Sequence, residues 1–206
     1  APAFQALAKI WREQFAAKTE DSHTYLLDSC PIILAKGHRS KHGKVARDLC
    51  SQCYNSARQE WYYGVKLHVF GSRRVGKLPI PCSTNVTTAT LCDLWSAKQI
   101  MLDNQPIRDG VLYADKAYVD AGWSQTLQRN YNIQLLTPRK KRKDEVFISG
   151  DAYSSFVSGK RQPIESFFHW LNVVTGIQNA SHIRSSTGLL FHIFSSLALA
   201  LFHLNS

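Results

Sequence analysis

The chain has 206 residues, with 25 Lys and Arg against 15 Asp and Glu and a formal net charge of +10; its isoelectric point lies near 9.5. That length supports one sizeable core and at most a small appendage, and the basic excess favours a polyanion, nucleic acid ahead of an anionic membrane surface. Five scattered cysteines (Cys30, Cys50, Cys53, Cys82, Cys92) argue against a secreted disulfide framework and for a reducing cytoplasm, and no signal peptide opens the chain.

Residues 1–20 place Phe4, Leu7, Ile10, Trp11 and Phe15 at helical spacing, which predicts an amphipathic helix, the remnant of a missing N-terminal unit or a brace on the core, set off from a main domain at 21–206. Residues 23–34 read as a first strand whose geometry changes at Asp28, just before Ser29-Cys30-Pro31. Residues 35–58 turn basic and glycine-containing, a loop over a nucleic-acid groove or a plain solvated one. Within it His38, His42, Cys50 and Cys53 are zinc-type ligands, although their spacing is not that of a common finger.

Trp61 to Phe70 and Lys77 to Ser83 predict an antiparallel meander, with Pro79 and Pro81 confining the second of these strands to a sheet edge. Asn85 to Met101 reads as a helix with Leu91, Leu94, Trp95 and Ile100 inward. Val111 to Ala114 is a short apolar strand ending in Asp115; Ala121 to Asn130 is a helix and Ile133 to Thr137 a further strand. Five consecutive basic residues follow Pro138, namely Arg139, Lys140, Lys141, Arg142 and Lys143, a phosphate anchor with no sequence preference of its own. Residues 144–160 read as a loop. A helix after Pro163 turns Ile164, Phe167, Phe168, Leu171 and Val174 inward as far as Gly176, and Ser185 to Leu204 is a buried apolar helix short of a clean membrane span. This order predicts an α/β fold of the ribonuclease-H-like kind, a mixed sheet flanked by helices.

Three acids stand out. Asp28 and Asp115 each end an apolar run, where a carboxylate is held on rigid backbone yet points beyond the sheet edge, and Glu165 opens an apolar helix. Convergent carboxylates suit hard cations such as Mg²⁺ or Mn²⁺, and a pair of such ions activates a water or hydroxyl and stabilises the leaving oxygen of a phosphodiester. Blander roles exist for each: a turn-forming Asp28, an N-cap Asp115, and a Glu165 that complements the helix dipole. Arg161 reads as an i,i+4 partner of Glu165 or a clamp on a DNA phosphate, and Lys116, beside Asp115, as another phosphate contact. No Ser or Cys has a partnered base in view, which disfavours a covalent mechanism.

These residues resemble the bacterial DDE-type insertion-sequence transposases, most closely insertion-sequence family 982. LLDSCPI with Asp28, YADKAY with Asp115, Ala117 and Tyr118, and the R-x3-E of Arg161 and Glu165 resemble the family's three motifs in order; YYGVKLH resembles its second strand. The spacings are 87 and 50 residues, and the likeness runs from about residue 22 to the C-terminus. Ser158 and Asn172 depart from the pattern, which has Tyr and Lys there. The resemblance implies Asp28, Asp115 and Glu165 as catalytic ligands of two Mg²⁺, cleavage and strand transfer at element ends, double-stranded DNA as partner, a homodimer on DNA, no membrane, and a bacterial cytoplasmic, nucleoid-associated location. The departures leave two other readings open, a transposase-derived DNA-binding protein without catalysis and a metal-dependent nuclease of the same fold.

Overall fold

The computed structural model describes residues 23–56, 58–104, 107–140 and 151–204. The helix expected over residues 1–20, and Lys141, Arg142 and Lys143 of the basic run, lie outside the described residues.

Six strands form one sheet: β1 (Thr24–Lys36), β2 (Ser51–Asn55), β3 (Glu60–Arg74), β4 (Lys77–Thr88), β5 (Gly110–Ala114) and β6 (Ile133–Leu136). They run in the order β2-β3-β1-β5-β6, and β4 pairs with β3 on the edge that β2 also uses. β1, β3 and β4 are antiparallel, whereas β5 and β6 run parallel to β1. Among the described residues four α-helices flank the sheet: α1 (Asp93–Asn104), α2 (Ala121–Tyr131), α3 (Ala152–Thr175) and α4 (Ser186–His203).

A strand covered on both faces must be apolar at successive positions, not only at alternate ones. Accordingly Leu26, Cys30 and Ile32 of β1 join Val65, Leu67 and Val69 of β3 beneath α3 and α4, while Leu27 and Phe70 pack on the opposite face with α1 and α2. The predicted edge position of the proline-bearing strand holds, since β4 pairs with β3 alone. β1 continues through Pro31, opposite which β5 has already stopped. Farther along, Ile33 is bracketed by the segment between α3 and α4: its N–H donates to Gln178 O and its carbonyl accepts from Ala180 N, both at 2.9 Å.

The structure corrects four predicted boundaries. β2 lies inside the region read as a loop, because SQCYN is short and polar and becomes a strand only against β3. β4 runs on to Thr88, so the helix expected from Asn85 starts at Asp93. α3 begins at Ala152 and passes through Pro163, where only a loop was expected before the proline. Val157, Arg161, Ile164, Phe168 and Leu171 recur at four- and three-residue steps and are all buried; packing of that stripe outweighs the helix-breaking preference of one proline. The last helix, with a mean hydropathy of 1.4 over 18 residues, is long and apolar enough to cross a membrane by composition, yet Leu189, Ile193, Leu197 and Leu201 are fully buried in the core of this chain.

Candidate active site

The register of β1 on β5 brings two of the acids together. Their parallel ladder ends with Leu27 opposite Ala114, so Asp28 and Asp115 are the next residues on adjacent strands. Asp28 is therefore not at the end of its own strand, as expected, but at the point where its neighbour's ends. Asp115 is also free of the capping role: Asp120 caps α2 through Trp123 N, and Asp115 makes no side-chain cap bond to the 3-10 turn at Lys116–Tyr118.

Arg161 lies on the inward stripe of α3 with a side chain only 8% exposed, and it touches all three acids. Its Nη2 donates to Asp28 Oδ2 at 3.0 Å and stands 3.5 Å from Glu165 Oε1, while Nη1 is 3.5 Å from Asp115 Oδ1. Glu165 follows one turn later, half-exposed and in the middle of the helix rather than in its first turn. The helix-dipole account of Glu165 thus loses its premise. Three carboxylates against one guanidinium leave two formal negative charges uncompensated.

Asp28 is the most enclosed acid of the three. Burial pushes its carboxyl up to about 6, against the opposing pull of Arg161 and of the Ser29 N–H, which donates to Oδ1 at 2.8 Å. Neighbouring Asp115 and Glu165 raise it further. The Tyr118 hydroxyl, buried nearby, is pushed well above its ordinary range by the same desolvation.

A fourth carboxylate is not evident from the sequence. Asp93, first residue of α1, accepts from Lys66 Nζ at 2.9 Å and lies 3.9 Å from His68 Nδ1. His68 is fully buried, shares a 2.8 Å hydrogen bond with Thr87 Oγ1, and is driven down to about 4 by desolvation, so it is neutral at pH 7 and Lys66 is the cation that answers Asp93. Asp93 and Lys66 line a pocket of about 200 Å³ with Ser29, Asn55 and Tyr62. The signal available for Asp93 is its place as an N-terminal helix acid, hidden as long as that helix is expected to start at Asn85.

The expected DNA contacts fall differently. Lys116 is exposed beside Asp115. Arg139 is exposed but engaged, 3.6 Å from Asp151 and over the Tyr153 ring; Lys140 is exposed. Arg161, expected on a phosphate, is instead buried among the acids. Of the departing positions, Asn172 closes the end of α3, its Oδ1 accepting from Gln178 N at 3.1 Å. His38 and His42 approach each other at 5.3 Å, but Cys50 is buried in the core, and the four candidate zinc ligands do not assemble.

The model of the transposase DDE domain matches residues 18–186. The chain belongs to the transposase DDE-domain family. Among solved structures it is similar to a piggyBac transposase in a synaptic complex with hairpin DNA, at a TM-score of 0.53 and 10% identity, over 88% of this chain and 46% of that one. The chain thus spans about half the length of that transposase, and the likeness establishes the ribonuclease-H-like fold. No curated protein matches the sequence. For a DDE domain the donor set is chemically apt, since all three side chains offer carboxylate oxygens, the ligands hard divalent cations prefer. Among the described residues, however, no three acids, histidines or cysteines are placed to hold one metal ion as they stand, and Arg161 lies among the three acids.

Proposed function

We propose that this chain is the catalytic domain of a DDE transposase of the insertion-sequence 982 kind, which cleaves DNA at element ends and joins the freed 3′-hydroxyl to target DNA. The observation that carries the reading is the meeting of Asp28, Asp115 and Glu165, from two strands and a helix, around one guanidinium. Asp28, Asp115 and Glu165 would hold the divalent ions. When bound, two Mg²⁺ or Mn²⁺ supply an acidified attacking water or hydroxyl and charge stabilisation at the leaving oxygen.

The protein's own part is positioning. Two neighbouring strands fix the aspartates, and α3 carries the glutamate on the turn after Arg161. The surplus negative charge of the cluster attracts cations, and the chain's basic excess of ten charges attracts the duplex from which the substrate strand is presented. Exposed Lys116, next to Asp115, is suited to a backbone phosphate near the cut.

The test is strand cleavage of element-end DNA in Mg²⁺ or Mn²⁺. Asp115→Asn is expected to lower nicking by at least about a hundredfold, on the scale of losing a metal-dependent step; nicking that survives in both Asp115→Asn and Glu165→Gln ends the proposal. Cut ends without joined strands would mark a nuclease of the same fold. The placement of Arg161 among the acids favours a second reading, a DNA-binding relative without catalysis, which predicts salt-sensitive DNA binding and no cleavage in any metal.

A further inference from the structure

We propose that Arg161 is an internal counter-cation that holds the three acids together until divalent metal replaces it, so that metal loading expels the guanidinium from the cluster. The inference rests on reading the cluster as a metal site. Three carboxylates from three separate elements would repel one another if nothing stood between them. Arg161 stands there, rooted on the buried stripe of α3 and in reach of each acid.

The two cations exclude one another. A small divalent ion such as Mg²⁺ draws its oxygens to about 2.0–2.1 Å, whereas the guanidinium keeps the acids spread at 3.0 to 3.5 Å from its nitrogens. The hold is also releasable. Only the bond to Asp28 is short; the contacts with Asp115 and Glu165 are at 3.5 Å, and the buried Nε–H has no partner among the described residues. Once displaced, the same fork-shaped donor is left beside the loaded site, where a phosphate oxygen is its natural acceptor. Arg161 would then serve in turn as a substitute for the metal and as a clamp on the DNA.

The experiment is calorimetric titration of Mn²⁺ into the wild-type chain, Arg161→Gln and Arg161→Lys, with each fold checked by circular dichroism and melting. Without metal, Arg161→Gln is expected to melt below wild type and to recover on adding Mn²⁺. Removing the competing charge should tighten Mn²⁺ binding about tenfold, while Arg161→Lys, which keeps a charge, stays within about threefold of wild type. A folded Arg161→Gln that binds Mn²⁺ no tighter than wild type overturns the exchange but leaves the metal site standing; no Mn²⁺ binding in any chain fails both.

Should Arg161→Gln not fold, the wild-type chain still decides between the two outcomes. With arginine side chains labelled with ¹⁵N, and the Arg161 Nε–H signal assigned by its loss in Arg161→Lys, Mg²⁺ is expected to shift that signal and speed its exchange with water. A signal unchanged at saturating Mg²⁺ overturns the proposal.

Discussion

At the scale of single residues, half-buried Asp28 and fully buried His68 answer pH in opposite senses, because burial penalises whichever form carries the charge. Asp28, raised from 3.8 to about 6, holds its proton more tightly in the folded state, so its contribution to stability is greatest in acid and is lost as pH rises through that window. His68, lowered from 6.5 to about 4, binds a proton more readily when unfolded, so its contribution is intact above pH 6.5 and is lost as pH falls toward 4. Each effect is on the order of 3 kcal/mol by linkage, and over pH 4 to 6 they oppose each other. Relative to wild type in metal-free urea denaturation, Asp28→Asn should therefore lose stability toward acid and His68→Gln should gain it. Curves parallel to wild type would show that neither group titrates as its surroundings dictate.

At the scale of elements, the proposed active site depends on one strand register. Gly110 begins β5 at a φ of 141°, and a Cβ there would stand 2.0 Å from His23 O. No flexible side chain can yield at that contact, since the obstacle is backbone. Gly110→Ala is expected to cost several kcal/mol, roughly 3 or more from combined clash and strain, and to weaken Mn²⁺ binding by unseating Asp115 from beside Asp28; unchanged melting and metal affinity would refute it. The elements that can be read from the chain alone are those with strong periodicity. Apolar runs in β1, β3 and β5 and the stripe after Pro163 announce themselves, and so do the three acids, although only Asp115 lies at the end of its strand. What stays hidden depends on partners distant in sequence. β2 is polar and exists through its ladder with β3. α3 packs against β1, β4 and β5, and Val157, ahead of Pro163, is buried in the same core as Ile164 and Leu171. Arg161 is visible as a motif residue, but its place among three acids follows from a helix stripe that can be traced only once the helix is known to start at Ala152.

At the scale of the whole molecule, the proposed function together with a net charge of +10 predicts duplex-DNA binding that falls steeply with salt. Lys116 is exposed beside the acids and is expected to meet a phosphate, so Lys116→Ala should reduce the slope of log K against log salt by about 1 and weaken all sequences alike. An unaltered slope would remove Lys116 from the interface. The geometry of β1 has a last consequence, for how these molecules tolerate one another in solution. Between Leu27, where β5 stops, and Ile33, where the 178–180 segment takes over, the central strand is left with an open flank beside the three acids. Such flanks ordinarily recruit foreign strands through their unpaired amides. Here Ser29 N–H is turned back onto Asp28, Pro31 has no N–H to give, and Ile33 N–H is already bonded to Gln178. The flank beside the three acids therefore offers no amide to a passing polypeptide, which removes the donors through which an edge strand would be extended.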